Sequence, residues 1–89
     1  MRVERIYLHI DLDVLDVSVG TANEYAAAGG PDLDTVLETI TDAFSRFEVP
    51  VAALTAYNPR VDNTGAIASA ARVIAQRIAR LAARQAPIR

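Results

Sequence analysis

The stretch that decides the fold is R-I-Y-L-H-I-D-L-D-V-L-D, residues 5–16, in which a short apolar run leads directly into three aspartates. Residues Arg5 to Ile10 contain strand formers without a clean alternation, which predicts a strand buried on both faces, as in a parallel sheet. A second apolar run extends from Val49 to Tyr57, with Pro50 near its start, where a missing N–H is tolerated. The sequence therefore predicts two parallel strands that both end in polar residues.

A segment with helical periodicity follows each predicted strand. The first helix is expected to begin at Pro31 and Asp32, with Asp32 as its cap, and to carry an apolar stripe as far as Phe47. The second is expected from about Ala66 to Ala83, with apolar residues on one face and arginines on the other. The order strand-helix-strand-helix predicts an α/β fold with a parallel sheet. A two-stranded sheet leaves an edge open, which indicates a piece of a larger α/β domain or a chain that needs a partner.

Composition narrows the class of protein. The 89 residues include no cysteine and one histidine, and the net charge is -2. This length allows one domain, residues 1–89, or part of a larger one, and the lack of cysteine excludes a disulfide scaffold and a thiolate metal site. The C-terminal arginines have no aromatic residues among them, and they prevent the last helix from spanning a membrane. We therefore expect a protein that binds neither nucleic acid nor a membrane. Because the N-terminus also lacks a secretory signal, we expect the protein to be cytoplasmic.

The aspartates at the end of the first strand are candidates for metal binding. Asp11 and Asp13 are two residues apart, so an extended backbone would project both side chains to the same side. Ligands bind at the carboxyl ends of strands in open α/β sheets, and a hard divalent cation such as Mn²⁺ or Mg²⁺ would relieve the repulsion between two carboxylates. In the alternative interpretation these aspartates cap a turn and face water. His9 is either a hydrogen-bonded residue of the strand or a further ligand.

Three motifs in order resemble one protein family. The run Y-L-H-I-D-L-D-V-L-D, residues 7–16, resembles the second metal-binding motif of the arginase, agmatinase and formimidoylglutamase family, the ureohydrolases. Gly29-Gly30 resembles the turn after that family's substrate loop, and N-P-R-V-D, residues 58–62, matches its N-P-x-x-D turn. The resemblance implies an arginase-like three-layer α/β/α sandwich with a parallel sheet, of which this chain would be the C-terminal part.

The resemblance also implies roles for individual residues. In this family two Mn²⁺ ions share aspartate and histidine ligands with a bridging water or hydroxide, which attacks a guanidinium or amidine carbon; Asp11 and Asp13 would be two of the ligands. Three residues of the substrate loop are candidates for substrate contacts by their position, and the alternative is that they only order the loop: Asn23, Glu24 and Tyr25. Four more are expected to be structural residues near the site: His9, Asp16, Asn58 and Asp62. The other ligands belong to an N-terminal part of the family fold, so we expect a longer protein, a partner chain or a homo-oligomer to complete the site.

Ala56 departs from the family pattern and leaves several functions open. It stands two residues before Asn58, where arginases and agmatinases usually have a glutamate that contacts the cationic end of the substrate. An alanine cannot pair with a guanidinium, which argues against arginine and agmatine. The first hypothesis is a family hydrolase acting on a linear amidine or guanidine C–N bond, and the alternative is a non-catalytic assembly module with a degraded metal site. A haloacid-dehalogenase type of phosphatase would use Asp11 as nucleophile, but Leu15 stands where that family usually has threonine or valine.

Overall fold

The predicted order of strands and helices is confirmed. The structure is a computed structural model that describes residues 4–23 and 28–85. Its elements are two strands, two α-helices and one short 3-10 helix: β1 (Arg5–Asp11), the 3-10 helix (Leu12–Val14), α1 (Leu33–Arg46), β2 (Glu48–Thr55) and α2 (Ala66–Gln85). The fold class is α/β, as the sequence predicts. None of the described helices has the length and apolar character needed to cross a membrane.

The two strands pair in parallel, which places their carboxyl ends at the same edge of the sheet. Leu8 lies beside Ala52, Ile10 beside Leu54, and Asp11 beside Thr55. The register shifts by one residue between Arg5 and Tyr7, in the part of β2 that contains Pro50. A bulge is one of the few places in a sheet that accept proline, because proline donates no ladder hydrogen bond. The parallel register brings the aspartates after β1 close to the segment after β2.

Helix α1 forms because a cap and a continuous apolar stripe agree. The Asp32 carboxylate accepts a hydrogen bond from the Thr35 N–H at 2.9 Å and so satisfies one of the open donors of the first turn. The stripe recurs at helical spacing and is buried in the core at Val36, Leu37, Ile40 and Phe44. The predicted cap and the predicted buried face are both confirmed.

Helix α2 closes the core and holds the turn between α1 and β2. Ile67 and Ile74 are completely buried against the other elements. At the end of the helix, the Gln85 side-chain amide donates to the carbonyls of Phe44 and Phe47, both at 2.7 Å, and accepts the Val49 N–H at 3.0 Å. One glutamine side chain thus makes hydrogen bonds to three backbone groups around the helix-to-strand turn.

Only one face of the sheet is covered, so the expectation that both faces are buried is wrong for the described part of the chain. Both helices contact each other and pack on the face that carries Leu8, Ile10 and Leu54. On the opposite face, Tyr7 and Val51 are 60% and 55% exposed. The described residues thus form two layers of the three-layer arrangement that the resemblance implies, because both helices lie on the same side.

Candidate metal centre

Two buried leucines, and not a continuation of β1, set the course of the backbone after Asp11. Strand β1 ends at Asp11, and the 3-10 helix follows at once, so the expectation of an extended backbone through Asp13 is wrong. Leu12 and Leu15 are 3% and 1% exposed, and their burial in the core turns the chain at this point. Asp11 caps the short helix and accepts the Asp13 N–H at a long 3.4 Å. The tight turn still leaves the two carboxyl groups close together.

The pKa of Asp11 is affected by the neighbouring Asp13 carboxyl group. Side-chain hydrogen bonding with Asp13 raises the pKa of Asp11, and desolvation and the negative charge of Asp13 add to that effect. The Asp13 N–H and nearby His9 act in the opposite direction. Two carboxylates that share a site in this way are stabilised by a proton or by a cation placed between them.

His9 lies on the same face of β1 as Asp11. Its Nε2 is 2.7 Å from the Thr55 hydroxyl oxygen, and its ring centroid is 6.0 Å from that of Tyr7. Thr55 is the register partner of Asp11, so the histidine contact links β1 to the end of β2. Sequence reasoning missed Thr55, although a hydroxyl at the end of the second strand is a signal once the strands are known to be parallel.

Asp16 closes the loop after β1 instead of facing the other two aspartates. Its carboxylate accepts the N–H groups of Ser18 and Gly29, each at 2.8 Å, and its own N–H donates to the Pro31 carbonyl at 2.9 Å. Hydrogen bonds from the Ser18 side chain and backbone, and then from Gly29, lower the pKa of Asp16 to about 2. The contacts give Asp16 a place in the loop beside the candidate ligands.

Gly30 shows how closely that loop approaches the D-x-x-D turn. A side-chain carbon added at Gly30 would lie 2.3 Å from the Val14 carbonyl oxygen and 3.1 Å from the Asp16 backbone nitrogen. Only glycine permits this approach. The G-G pair therefore matters because of the close backbone contact at its second residue.

The segment after β2 has its own carboxylate, which caps α2. Asp62 is 8% exposed and accepts the N–H groups of Ile67 and Ala68, at 3.1 and 3.0 Å, and the Tyr57 hydroxyl at 2.9 Å. These hydrogen bonds lower the pKa of Asp62 against the opposing effect of burial, and Asp62 in turn raises the pKa of Tyr57. Asn58 accepts the Arg60 N–H at 3.0 Å, which shapes the turn between the strand and the helix.

Asn23 connects the two strand ends. Its side-chain nitrogen is 2.8 Å from the Ala56 carbonyl oxygen and 3.4 Å from Asp13 Oδ2, and the residue is 7% exposed. The other two candidates for substrate contacts, Glu24 and Tyr25, lie outside the described residues.

The described residues provide part of a metal site. Asp11 and Asp13 offer adjacent carboxylate oxygens, the donor type that Mn²⁺ and Mg²⁺ prefer, so this donor set fits a hard cation. Within residues 4–23 and 28–85, no group of three or more histidine, cysteine, aspartate or glutamate side chains is arranged to hold a metal ion. The arrangement therefore supplies a pair of ligands to which further ligands must be added.

A sequence profile of the arginase family matches residues 1–81. The chain belongs to the arginase family. It is 40% identical over 78 residues to formimidoylglutamases of Salmonella arizonae, Salmonella agona and Salmonella newport, an alignment that covers 88% of this chain. The chain spans 25% of the length of these curated relatives. The family resemblance that the three motifs carry is confirmed by these similarities.

Proposed function

We propose that this chain is a segment of a binuclear manganese hydrolase that cleaves a linear C–N bond in an amidine substrate. The observation that carries the proposal is the adjacent pair Asp11 and Asp13 at the carboxyl end of β1 in a chain of the arginase family. Asp11 and Asp13 would hold metal, and bound manganese would supply a Lewis acid that activates water near neutral pH. Additional ligands would come from other parts of the protein or from a partner chain.

The substrate that we propose carries a formimidoyl group. The similar Salmonella proteins are named formimidoylglutamases, and that group is an amidine once it is attached to an amino nitrogen. Ala56 supports this choice over arginine or agmatine, because its methyl group offers no charge to pair with a guanidinium. Hydrolysis would add water across the C–N bond of the amidine, so that the carbon keeps the oxygen and the amine leaves with a proton.

This chain's own residues would orient the site. Asp16 and Gly30 hold the loop after β1, and His9 with Thr55 joins the two strands beside Asp11. Glu24 and Tyr25 remain candidates for substrate contacts by their position in the loop. We also propose that the protein acts in the cytoplasm, as a homo-oligomer or with a partner chain that covers the exposed face of the sheet.

A non-catalytic assembly module is the second candidate. The observation that favours it is the exposed face with Tyr7 and Val51, which offers an apolar surface to another copy or chain. In an assembly module, Asp11 and Asp13 would be the remains of a former metal site.

Titration with Mn²⁺ separates the two candidates. The full-length protein, as its gene encodes it, would be titrated with Mn²⁺, with free metal followed by electron paramagnetic resonance. The same samples would be incubated with formimidoylglutamate, and the release of glutamate would be measured by chromatography. We expect two bound ions per site and metal-dependent release. A folded oligomer that binds no Mn²⁺ and releases no glutamate would contradict the hydrolase and support the assembly module.

A further inference from the structure

Asn23 contacts both a candidate metal ligand, Asp13, and the residue that directly follows β2, Ala56. Its buried side-chain nitrogen lies 2.8 Å from the Ala56 carbonyl oxygen and 3.4 Å from Asp13 Oδ2. An amide NH₂ group carries two hydrogens and can donate to both oxygens at once. The side-chain NH₂ group is thus directed into the protein, between the D-x-D turn and the end of β2.

The position of Asn23 is fixed independently of Asp13. The preceding residue, Ala22, is 1% exposed in the core, and its carbonyl accepts the Asn58 N–H at 2.7 Å. The loop therefore runs beside the segment after β2 with a backbone bond at Asn58 and a side-chain bond at Ala56. An anchored donor of this kind can hold a neighbouring carboxylate in place.

The backbone conformation of Ala56 gives a reason for its hydrogen bond with Asn23. Its φ is 68°, in the left-handed region that residues other than glycine rarely adopt. Such a backbone persists when surrounding contacts determine it, and the hydrogen bond from Asn23 to the Ala56 carbonyl is one of them. The residue at which this chain departs from the arginase pattern is thus tied to the same amide group that contacts Asp13.

We propose that Asn23 is a positioning residue, whose side-chain amide holds Asp13 at a fixed place relative to the end of β2. This role differs from the substrate contact expected from the sequence, which stays a prediction. It rests on the proposed function because it assumes that Asp13 binds metal. The chemistry requires a donor with two hydrogens: leucine has the size of asparagine without a donor, and serine donates only one hydrogen.

The affinity for Mn²⁺ tests this role without an activity assay. The metal-free full-length protein and its Asn23→Leu variant would be titrated with Mn²⁺ alone, with free metal followed by electron paramagnetic resonance. Asn63→Leu is the matched control, because Asn63 is exposed on the turn before α2. We expect the dissociation constant of Asn23→Leu to rise about tenfold, since loss of an outer partner of a metal ligand has effects of this size. The spectrum of the bound ion should also broaden or shift, whereas Asn63→Leu should leave both unchanged.

The outcomes distinguish positioning from a merely structural role. A folded Asn23→Leu protein that melts earlier but binds Mn²⁺ like the wild type would overturn the inference and leave the proposed function intact. If Asn23→Leu does not fold, Asn23→Ser decides the question: we expect a smaller loss of affinity, and wild-type affinity would again overturn the inference. A wild-type protein that binds no Mn²⁺ would overturn the proposed function and this inference together.

Discussion

The aspartates near the ends of the two strands have two different roles. After β2, Asp62 accepts two backbone N–H groups and a tyrosine hydroxyl, and after β1, Asp16 accepts the N–H groups of Ser18 and Gly29. Both carboxylates have a lowered pKa as a result. Asp11 and Asp13 instead face each other, and the pKa of Asp11 is raised.

The difference teaches which carboxylates hold the backbone and which are placed for a ligand. A carboxylate surrounded by N–H donors is already stabilised as an anion, so a cation gains less by approaching it. A pair of carboxylates with a raised pKa is stabilised by positive charge placed between them. The D-x-D-x-x-D motif thus contains two kinds of aspartate, although its sequence shows three identical side chains.

Substitution of Asp13 should have the largest effect on function. In Asp13→Asn, removal of a proposed ligand should lower Mn²⁺-dependent hydrolysis of formimidoylglutamate by about 100-fold or more, since loss of even an outer partner costs about 10–100-fold. Glutamate release at a fixed Mn²⁺ concentration measures this. Asp34→Asn removes an exposed carboxylate from α1 and should keep wild-type activity. Equal activity in Asp13→Asn and the wild type would show that the facing pair holds no required metal.

The close approach at Gly30 should have the largest effect on stability. In Gly30→Ala the added carbon meets the Val14 carbonyl oxygen at 2.3 Å, and this backbone oxygen cannot move aside without shifting the D-x-D-x-x-D turn. We expect the free energy of unfolding to fall by about 2–3 kcal/mol, as in other overpacked sites, measured by urea denaturation.

Gly29→Ala is the matched control for that measurement. Gly29 has φ of 96°, and a carbon added there meets nothing within 4 Å, so the substitution introduces backbone strain without a clash. The loss should be about 1 kcal/mol. If both variants lose the same stability, the contact between the loop and the end of β1 is not what makes glycine necessary.

Asp62→Ala should lower stability by a smaller amount. The variant leaves the N–H groups of Ile67 and Ala68 without their acceptor at the start of α2. We expect Tm to fall by about 3–5 °C, measured by circular dichroism, because lost helix caps have effects of this order. Asn63→Ala changes the next, exposed residue and should leave Tm unchanged. A loss of Mn²⁺ affinity in Asp62→Ala at temperatures where it stays folded would contradict the view that Asp62 only holds the backbone.

Local patterns predicted most of the fold because each helix and strand carries its own signals. The Asp32 cap and the apolar stripe of α1 agree with the structure, and parallel pairing followed from alternating strands and helices. The predicted burial of both strand faces is wrong for the described residues, because local patterns do not report what covers the face with Tyr7. The extended geometry at Asp13 failed because the burial of Leu12 turns the chain immediately after Asp11.

The candidate site was predictable in its residue types but not in its contacts. The spacing of Asp11 and Asp13 pointed to a metal, and that interpretation stays a prediction. The roles of Asp16 and Asn23 depend on N–H and carbonyl groups of residues far along the chain, at Gly29 and Ala56. Such contacts come from the docking of a loop onto two strand ends, and no local period in the sequence reports them.

The pH dependence of Asp16 should give the smallest effect and the finest test of the comparison. Its folded pKa of about 2 lies below the ordinary 3.8, so the folded state favours the charged form. The stabilisation is therefore fully present above the ordinary pKa and is lost as the pH falls from about 4 towards about 2. In Asp16→Asn the difference in urea midpoint from the wild type should be largest above about pH 4 and should shrink across that window. Glu38→Gln removes an exposed carboxylate from α1 and should show no such change. A difference that stayed constant across the window would mean that the amide loses contacts other than those that depend on the charge, and Asp16 would then no longer belong with Asp62.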